Sequence, residues 1–331
     1  MLKTLFRIQG FLIALALLAG LPHGAAAYNV PGSAQAHVPE LTEIATGIIV
    51  KSLKENVRPL RQRGDDAQIS TQGNLSGVSA VGAGRVPLSL SLTHRILDTS
   101  RLDGRLDVGT MLLAGGNGTG LVYFGGIIGE DGDVRTPLDN GKIKHAGAGL
   151  AFGADYAVSD GFYVTAMVGG MSLDYDVARA GGTIIGSFGA TRQFADLSAD
   201  YVTRAAGGDM TFGFGLLYVK QRNDGYFESG GAPIAPFTFD QLAATLNMRN
   251  ARGHPGALLR PYVDLSGQFR LTGSRSGVVA AVPVHSDNQA RLLVGVERTT
   301  GKSSFDVGLG TNFDDSGYSG LDGRLSYTFR F

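Results

Sequence analysis

The sequence predicts an all-β fold, a twelve-stranded antiparallel transmembrane β-barrel with an N-terminal α-helix. Three observations carry that prediction. The chain closes on a strand, Arg324 to Phe331, in which Leu325, Tyr327, Phe329 and Phe331 share one face and Arg324, Ser326, Thr328 and Arg330 the other, because strand side chains alternate. The same period-two pattern recurs along the chain in runs longer than an ordinary globular strand. Glycine makes up 50 of the 331 residues, about twice the usual share, with neither a collagen period nor a Gly/Ser linker.

Taken from the start, residues 1–27 read as a signal peptide. Lys3 and Arg7 precede an apolar run, Phe11 to Leu21, and Ala25-Ala26-Ala27 offers small residues for cleavage, as Sec-type export signals do. The run is too short to cross a bilayer as a helix, and no later apolar run is long enough. Cleavage would make Tyr28 the mature start and leave 27 basic against 29 acidic residues. That balance gives no reason to expect nucleic acid as a partner. Absence of cysteine excludes disulfides, thiol nucleophiles and cysteine-bound metals.

Residues 28–37 read as a short leader or vestigial passenger, and 38–85 as a helix and linker. Pro39 in the first turn with Glu40 and Glu43 beside it marks a helix start. Leu41, Ile44, Ile48, Leu53 and Val57 follow at helical spacing, then the basic residues Lys51, Lys54, Arg58, Arg61 and Arg63. Pro59 limits regular helix, and Gly64-Asp65-Asp66 breaks it.

From residue 86 to 331 the alternation marks an outer-membrane barrel. Strands are expected over 86–97, 104–114, 119–129, 142–156, 162–175, 191–203, 209–222, 237–250, 258–272, 290–298, 302–313 and 320–331. The even-numbered connections are short. Four odd-numbered ones are longer: 130–141, 176–190, 223–236 and 273–289. Outer-membrane barrels pair short periplasmic turns with longer outside loops, which puts both barrel termini on the periplasmic side. Closure of the sheet predicts a monomer in outer-membrane lipid.

No catalytic, cofactor or metal constellation emerges. The mature histidines His37, His94, His145, His254 and His285 are scattered, without ligand spacing such as i and i+4. Asp196 and Asp200 share a lumenal face, but lumen polarity accounts for them without acid–base chemistry. Arg249, Arg260, Asp264, Arg270, Arg291, Glu297, Asp306 and Arg330 fall on the polar phase of their strands and are the candidate lumen lining. Charges so enclosed need partners or water. Lys51, Lys54, Arg58 and Arg61 on the helix would pair with Asp264, Glu297 and Asp306 if residues 39–63 occupy the pore.

This arrangement resembles the translocator domain of autotransporters, the type V secretion family. The segment Leu121-Val-Tyr-Phe-Gly-Gly-Ile-Ile-Gly-Glu-Asp-Gly-Asp133 is similar to that family's strand and Gly-Asp-rich loop. Gly147 to Tyr156 with Asp160 to Val164 is similar to its next hairpin. The resemblance implies protein transport through the outer membrane of a Gram-negative bacterium, with the helix threading the pore. It also implies that Tyr327, Phe329 and Phe331 form the signal read by the barrel assembly machinery. No Asn-Asn pair for self-cleavage lies near the helix, and little chain precedes it, so a translocator barrel without a large cargo is the expectation. A porin-like diffusion channel and a structural or adhesive surface barrel acting through its loops are the alternatives.

Overall fold

The computed structural model describes residues 30–58, 88–99, 101–116, 120–205, 207–253, 257–277, 288–300, 303–315 and 317–330. The proposed signal peptide, the linker 64–85, Arg61, Arg63, His254, His285 and Phe331 lie outside the described residues. A 3-10 turn, Ala34–His37, leads into helix α1, Val38–Val57. The barrel strands are β1 (Leu88–Thr99), β2 (Asp103–Gly116), β3 (Leu121–Thr136), β4 (Gly141–Ser159), β5 (Phe162–Arg179), β6 (Ile184–Ala205) and β7 (Gly208–Asn223). They continue as β10 (Phe237–Arg252), β11 (Arg260–Ser276), β12 (Asn288–Thr300), β13 (Ser303–Asp314) and β14 (Gly317–Arg330). Two short strands, β8 (Tyr226–Phe227) and β9 (Pro233–Ile234), pair only with each other.

The twelve barrel strands form a closed antiparallel ring. It shuts through pairing of β1 with β14, from Ser89 opposite Arg330 to Thr99 opposite Gly320. Side-chain alternation is inverted relative to a soluble sheet. On β1, Ser89, Ser91, Thr93 and Arg95 are buried while Leu90, Leu92 and Ile96 are exposed. On β11, Tyr262 and Asp264 are buried while Val263, Leu265, Phe269 and Leu271 face out. An apolar exterior around a polar interior is stable only where lipid surrounds the wall.

One end of the barrel carries tight turns. Asp160 and Gly161 join β4 to β5, and Gly161 holds φ +75, where a Cβ would be strained. The other end, called the loop end, differs from expectation. Segments expected as loops over 130–141 and 176–190 are mostly wall, because β3 runs to Thr136 and β6 begins at Ile184. The Gly-Asp-rich stretch Gly129–Asp133 is likewise strand rather than loop. Alternation continues there, but the outward positions include Asp131, Arg135 and Asp176, all exposed. This part of the wall stands beyond the apolar belt, in water, so an apolar outer face no longer marks it.

α1 lies inside the barrel. Its first residues meet the loop end, where Glu40 pairs with Arg101 of the β1–β2 connection at 2.9 Å. Its cap residue reaches the turn end, where the Arg58 guanidinium donates to Thr211 near the start of β7. A helix of 20 residues spans about 30 Å, the thickness of a bilayer's apolar core. Regular helix ends at Val57, with Arg58 as its cap residue still in the α region and its amide bonded to the Lys54 carbonyl.

Candidate functional site

The lumen is the candidate site, and α1 divides it unequally. One helix face is fully buried through Leu41, Ala45, Ile49, Leu53 and Val57. It packs against β1, β2, β3 and β7. Wall residues Leu106, Leu112 and Ile128 join it in one apolar cluster. Gly126 eases the approach, since a Cβ there would lie a tight 3.3 Å from Leu53 Cδ2. Ser52 and Asn56 share the Thr110 hydroxyl at 3.0 and 3.2 Å.

Higher on this side lies a buried polar knot. Arg192 grips Glu130 with two nitrogens, at 2.6 and 3.1 Å, and both side chains are completely buried. His145 Nε2 meets the same carboxylate at 2.7 Å. Arg192 Nε donates to Gln221 Oε1, which also accepts the Thr42 hydroxyl of α1 at 2.9 Å. These bonds satisfy most of the buried charge, as enclosure demands. Sequence reading missed Glu130, Arg192, Gln221 and Tyr175. Extending the inward parity of β3, β5, β6 and β7 past the apolar belt would have found them.

The opposite face of α1, through Gly47, Lys51, Lys54 and Glu55, borders a cavity of about 230 Å³ whose far wall comes largely from β10 to β14. Here most of the candidate lumen residues meet. Arg249 donates to Glu297 and Asp306, each at 2.6 Å, lies 3.4 Å from Asp264, and stacks over the Tyr262 ring. Arg260 pairs with Asp209 and Glu297. Arg291 shares Asp322 with Arg95, and Arg324 holds Asp306 at 2.8 Å. Arg270 and Arg330 are half-buried on the same inner phase, nearer the two ends of the wall.

Helix charges take only part of this wall. Lys51 Nζ sits 2.6 Å from Asp264, while Lys54 lies 3.9 Å from Asp200 of β6 and Glu55 lies 3.9 Å from Arg324. Glu297 and Asp306, expected as helix partners, are held by wall arginines, whose side chains project from neighbouring strands at the same level. Asp196 accepts the Ser198 hydroxyl at 2.9 Å. Among the described residues, no group of three acidic or histidine side chains is placed to hold a metal ion.

At the loop-end mouth His37 is buried, with Nε2 4.0 Å from Asp139 Oδ1. Burial, aided by Arg101, holds its imidazole below the ordinary histidine range despite Asp139.

A closed twelve-stranded wall with a helix threaded from mouth to mouth can be set against known families. Residues 102–328 match the family model of the autotransporter β-domain. The chain belongs to that family. This autotransporter β-domain shares its fold with the translocator domain of the autotransporter NalP from Neisseria meningitidis, at TM-score 0.68 and 13% identity. That alignment covers 91% of this chain and 100% of that one. The β-domain of the Bordetella autotransporter BrkA aligns at TM-score 0.52 and 15% identity, over 74% of this chain and 98% of that one. Comparison with curated proteins gave no match. The protein is therefore an outer-membrane translocator barrel of the autotransporter type, from a family that is not one of enzymes, with its N-terminal helix lodged in the pore.

Proposed function

We propose that this barrel exports its own N-terminal segment and then retains α1 as the plug of the pore. The observation that carries the reading is the direction of α1, whose N-terminal turn meets the loop end and whose C-terminal turn meets the end with tight turns. With the loop end at the cell surface, residues ahead of Ala34 point out of the cell and both ends of the barrel sheet lie periplasmic. Folding and insertion supply the driving force, and the barrel performs no catalysis of its own. Export of the unfolded chain by the Sec machinery, insertion by the barrel assembly machinery reading Tyr327, Phe329 and Phe331, and a monomer in lipid complete the reading.

A tag placed after Ala27 and probed by protease on whole cells tests it. Cleavage on intact cells is expected, and a tag that stays protected until the outer membrane is opened would overturn the export reading. Deleting 38–57 tests the plug, because single-channel conductance should then rise several-fold. The polar cavity beside α1 favours a second reading, a narrow diffusion pore, which predicts measurable conductance with the helix in place.

A further inference from the structure

The β8–β9 hairpin folds over the loop-end mouth although its own ladder is only two pairs long, Tyr226 with Ile234 and Phe227 with Pro233. So short a hairpin does not hold itself. Yet Tyr226, Glu228 and Ile234 are all buried. One support is the wall. The Tyr226 ring stacks on Phe188 at 5.1 Å, ending a ladder of rings that runs back through Tyr175 to His145. Gly186 gives that ring its seat, since a Cβ there would come within 2.4 Å of it.

The other support is the N-terminal segment. The Gly32 amide donates to Glu228 Oε1 at 3.0 Å, while the Arg179 guanidinium grips both oxygens of the same carboxylate. Ala34 joins Ile234 in the apolar cluster, and the Gln35 side-chain amide reaches the Ala235 carbonyl at 3.5 Å. Across the mouth, the buried Ser33 hydroxyl donates to Asp139 of the β3–β4 connection at 3.0 Å. Residues 32–37 thus lie between hairpin and wall, and the hairpin's buried face is completed by them.

We infer that the β8–β9 hairpin is a latch that closes on the N-terminal segment, and that its closed position requires that segment in the mouth. Closure fixes the upper end of α1, so the helix is held against sliding toward the turn end. An empty mouth would leave the Glu228 carboxylate with Arg179 alone and the hairpin with only its wall-side holds, the Tyr226 stack and the bonds between Ser229 and Ile185, so it would open more often. The inference deepens the plug reading, resting on α1 being a retained segment, but it is independent of which end faces outward.

The chain has no cysteine, so a single Ile234→Cys reports closure through its rate of maleimide labelling in purified full-length protein. Both ends are then accessible, and export plays no part in the outcome. Ser33→Asp sets a second carboxylate against Asp139 and should drive the segment out without touching the hairpin. Labelling should be slow in Ile234→Cys alone and at least ~10-fold faster once Ser33→Asp is added, with the heat-modifiable gel mobility of a folded barrel retained. Deletion of residues 28–33 is the second arm, expected to speed labelling several-fold while leaving the Arg179–Glu228 pair intact, and it decides the matter if Ser33→Asp does not assemble. Fast labelling in Ile234→Cys alone, or equal rates with and without the second substitution, would overturn the latch.

Discussion

The two sides of the lumen hold the same helix by opposite means. Toward β1–β3 and β7, α1 is packed dry, with Leu41, Ala45, Ile49 and Leu53 fully buried and the charges that occur there, Arg192 and Glu130, closed off from solvent. Toward β10–β14 it faces a cavity of about 230 Å³, polar and roomy enough for water, and reaches the wall through Lys51 and Glu55. The dry side binds the helix and the wet side aligns it. A plug built this way blocks a chain-sized pore while leaving one flank able to yield.

The strongest way to break that comparison is to open the dry side. Arg192→Ala strands the Glu130 carboxylate with His145 alone in a fully buried site, and breaking such a pair costs about 3–5 kcal/mol. Thermal melting of the folded barrel in detergent should show this as the largest single loss in the lumen. A loss no greater than that of Lys51→Ala would mean the two sides do not differ. Next comes Leu53→Ala, which empties the space that Gly126 leaves for the side chain. Buried Leu→Ala changes cost about 2–5 kcal/mol, and this one should loosen α1 without opening the sheet. Hydrogen exchange along Val50–Val57 should accelerate while the strand amides stay protected.

That contrast also explains what the sequence disclosed. Alternation against lipid made the wall legible wherever an apolar outer face accompanies a polar inner one, as at Leu90, Leu92 and Ile96 against Ser91, Thr93 and Arg95. It failed above the membrane, where Asp131 and Arg135 face water and the strand looks like loop. The wet side was readable because its charges stand out among neutral strands: Arg249, Asp264, Glu297 and Asp306 were singled out on parity alone. The dry knot escaped because Glu130 and Arg192 lie in or beside the stretches taken for loops. Helix partners were legible only as charge types. Which acid meets which base depends on the strand stagger, and that set Lys51 on Asp264 but left Asp306 to Arg249 and Arg324.

The wet side should respond more mildly. Lys51→Ala removes the closest partner of Asp264, but Arg249 remains 3.4 Å away and the lysine side chain is about one-third exposed. Screening by solvent brings the expected loss to about 1 kcal/mol or less. On the diffusion-pore reading the sharper readout is conductance, since the lysine borders the cavity. Lys51→Ala should shift ion selectivity toward cations with little change in melting. A large drop in melting temperature with unchanged selectivity would place Lys51 in the packing rather than in the pore.

The smallest effect expected is one of pH, at the mouth where the dry side ends. His37 is faced by Asp139 and Arg101 and is held neutral mainly by burial. A base whose folded value lies below its ordinary value of 6.5 takes up its proton more readily when released. Closure of the mouth therefore loses stability as pH falls below that ordinary value. Glu228, beside Tyr226 and bonded to Arg179 and the Gly32 amide, is raised by burial but lowered further by those bonds, so it ends below its ordinary 4.5. A carboxylate held low contributes stability above its ordinary value and loses it on further acidification. Both signs agree, and labelling of Ile234→Cys, taken at each pH as a ratio to that of an exposed reference cysteine because the thiolate fraction itself falls with pH, should quicken in two steps, the first from His37 and the second from Glu228. His37→Gln should erase the first step and leave the second in place. A relative labelling rate flat between about pH 7.5 and pH 3 would show that neither group is linked to closure, and the mouth would then be held by apolar contact alone, as the rest of the dry side is.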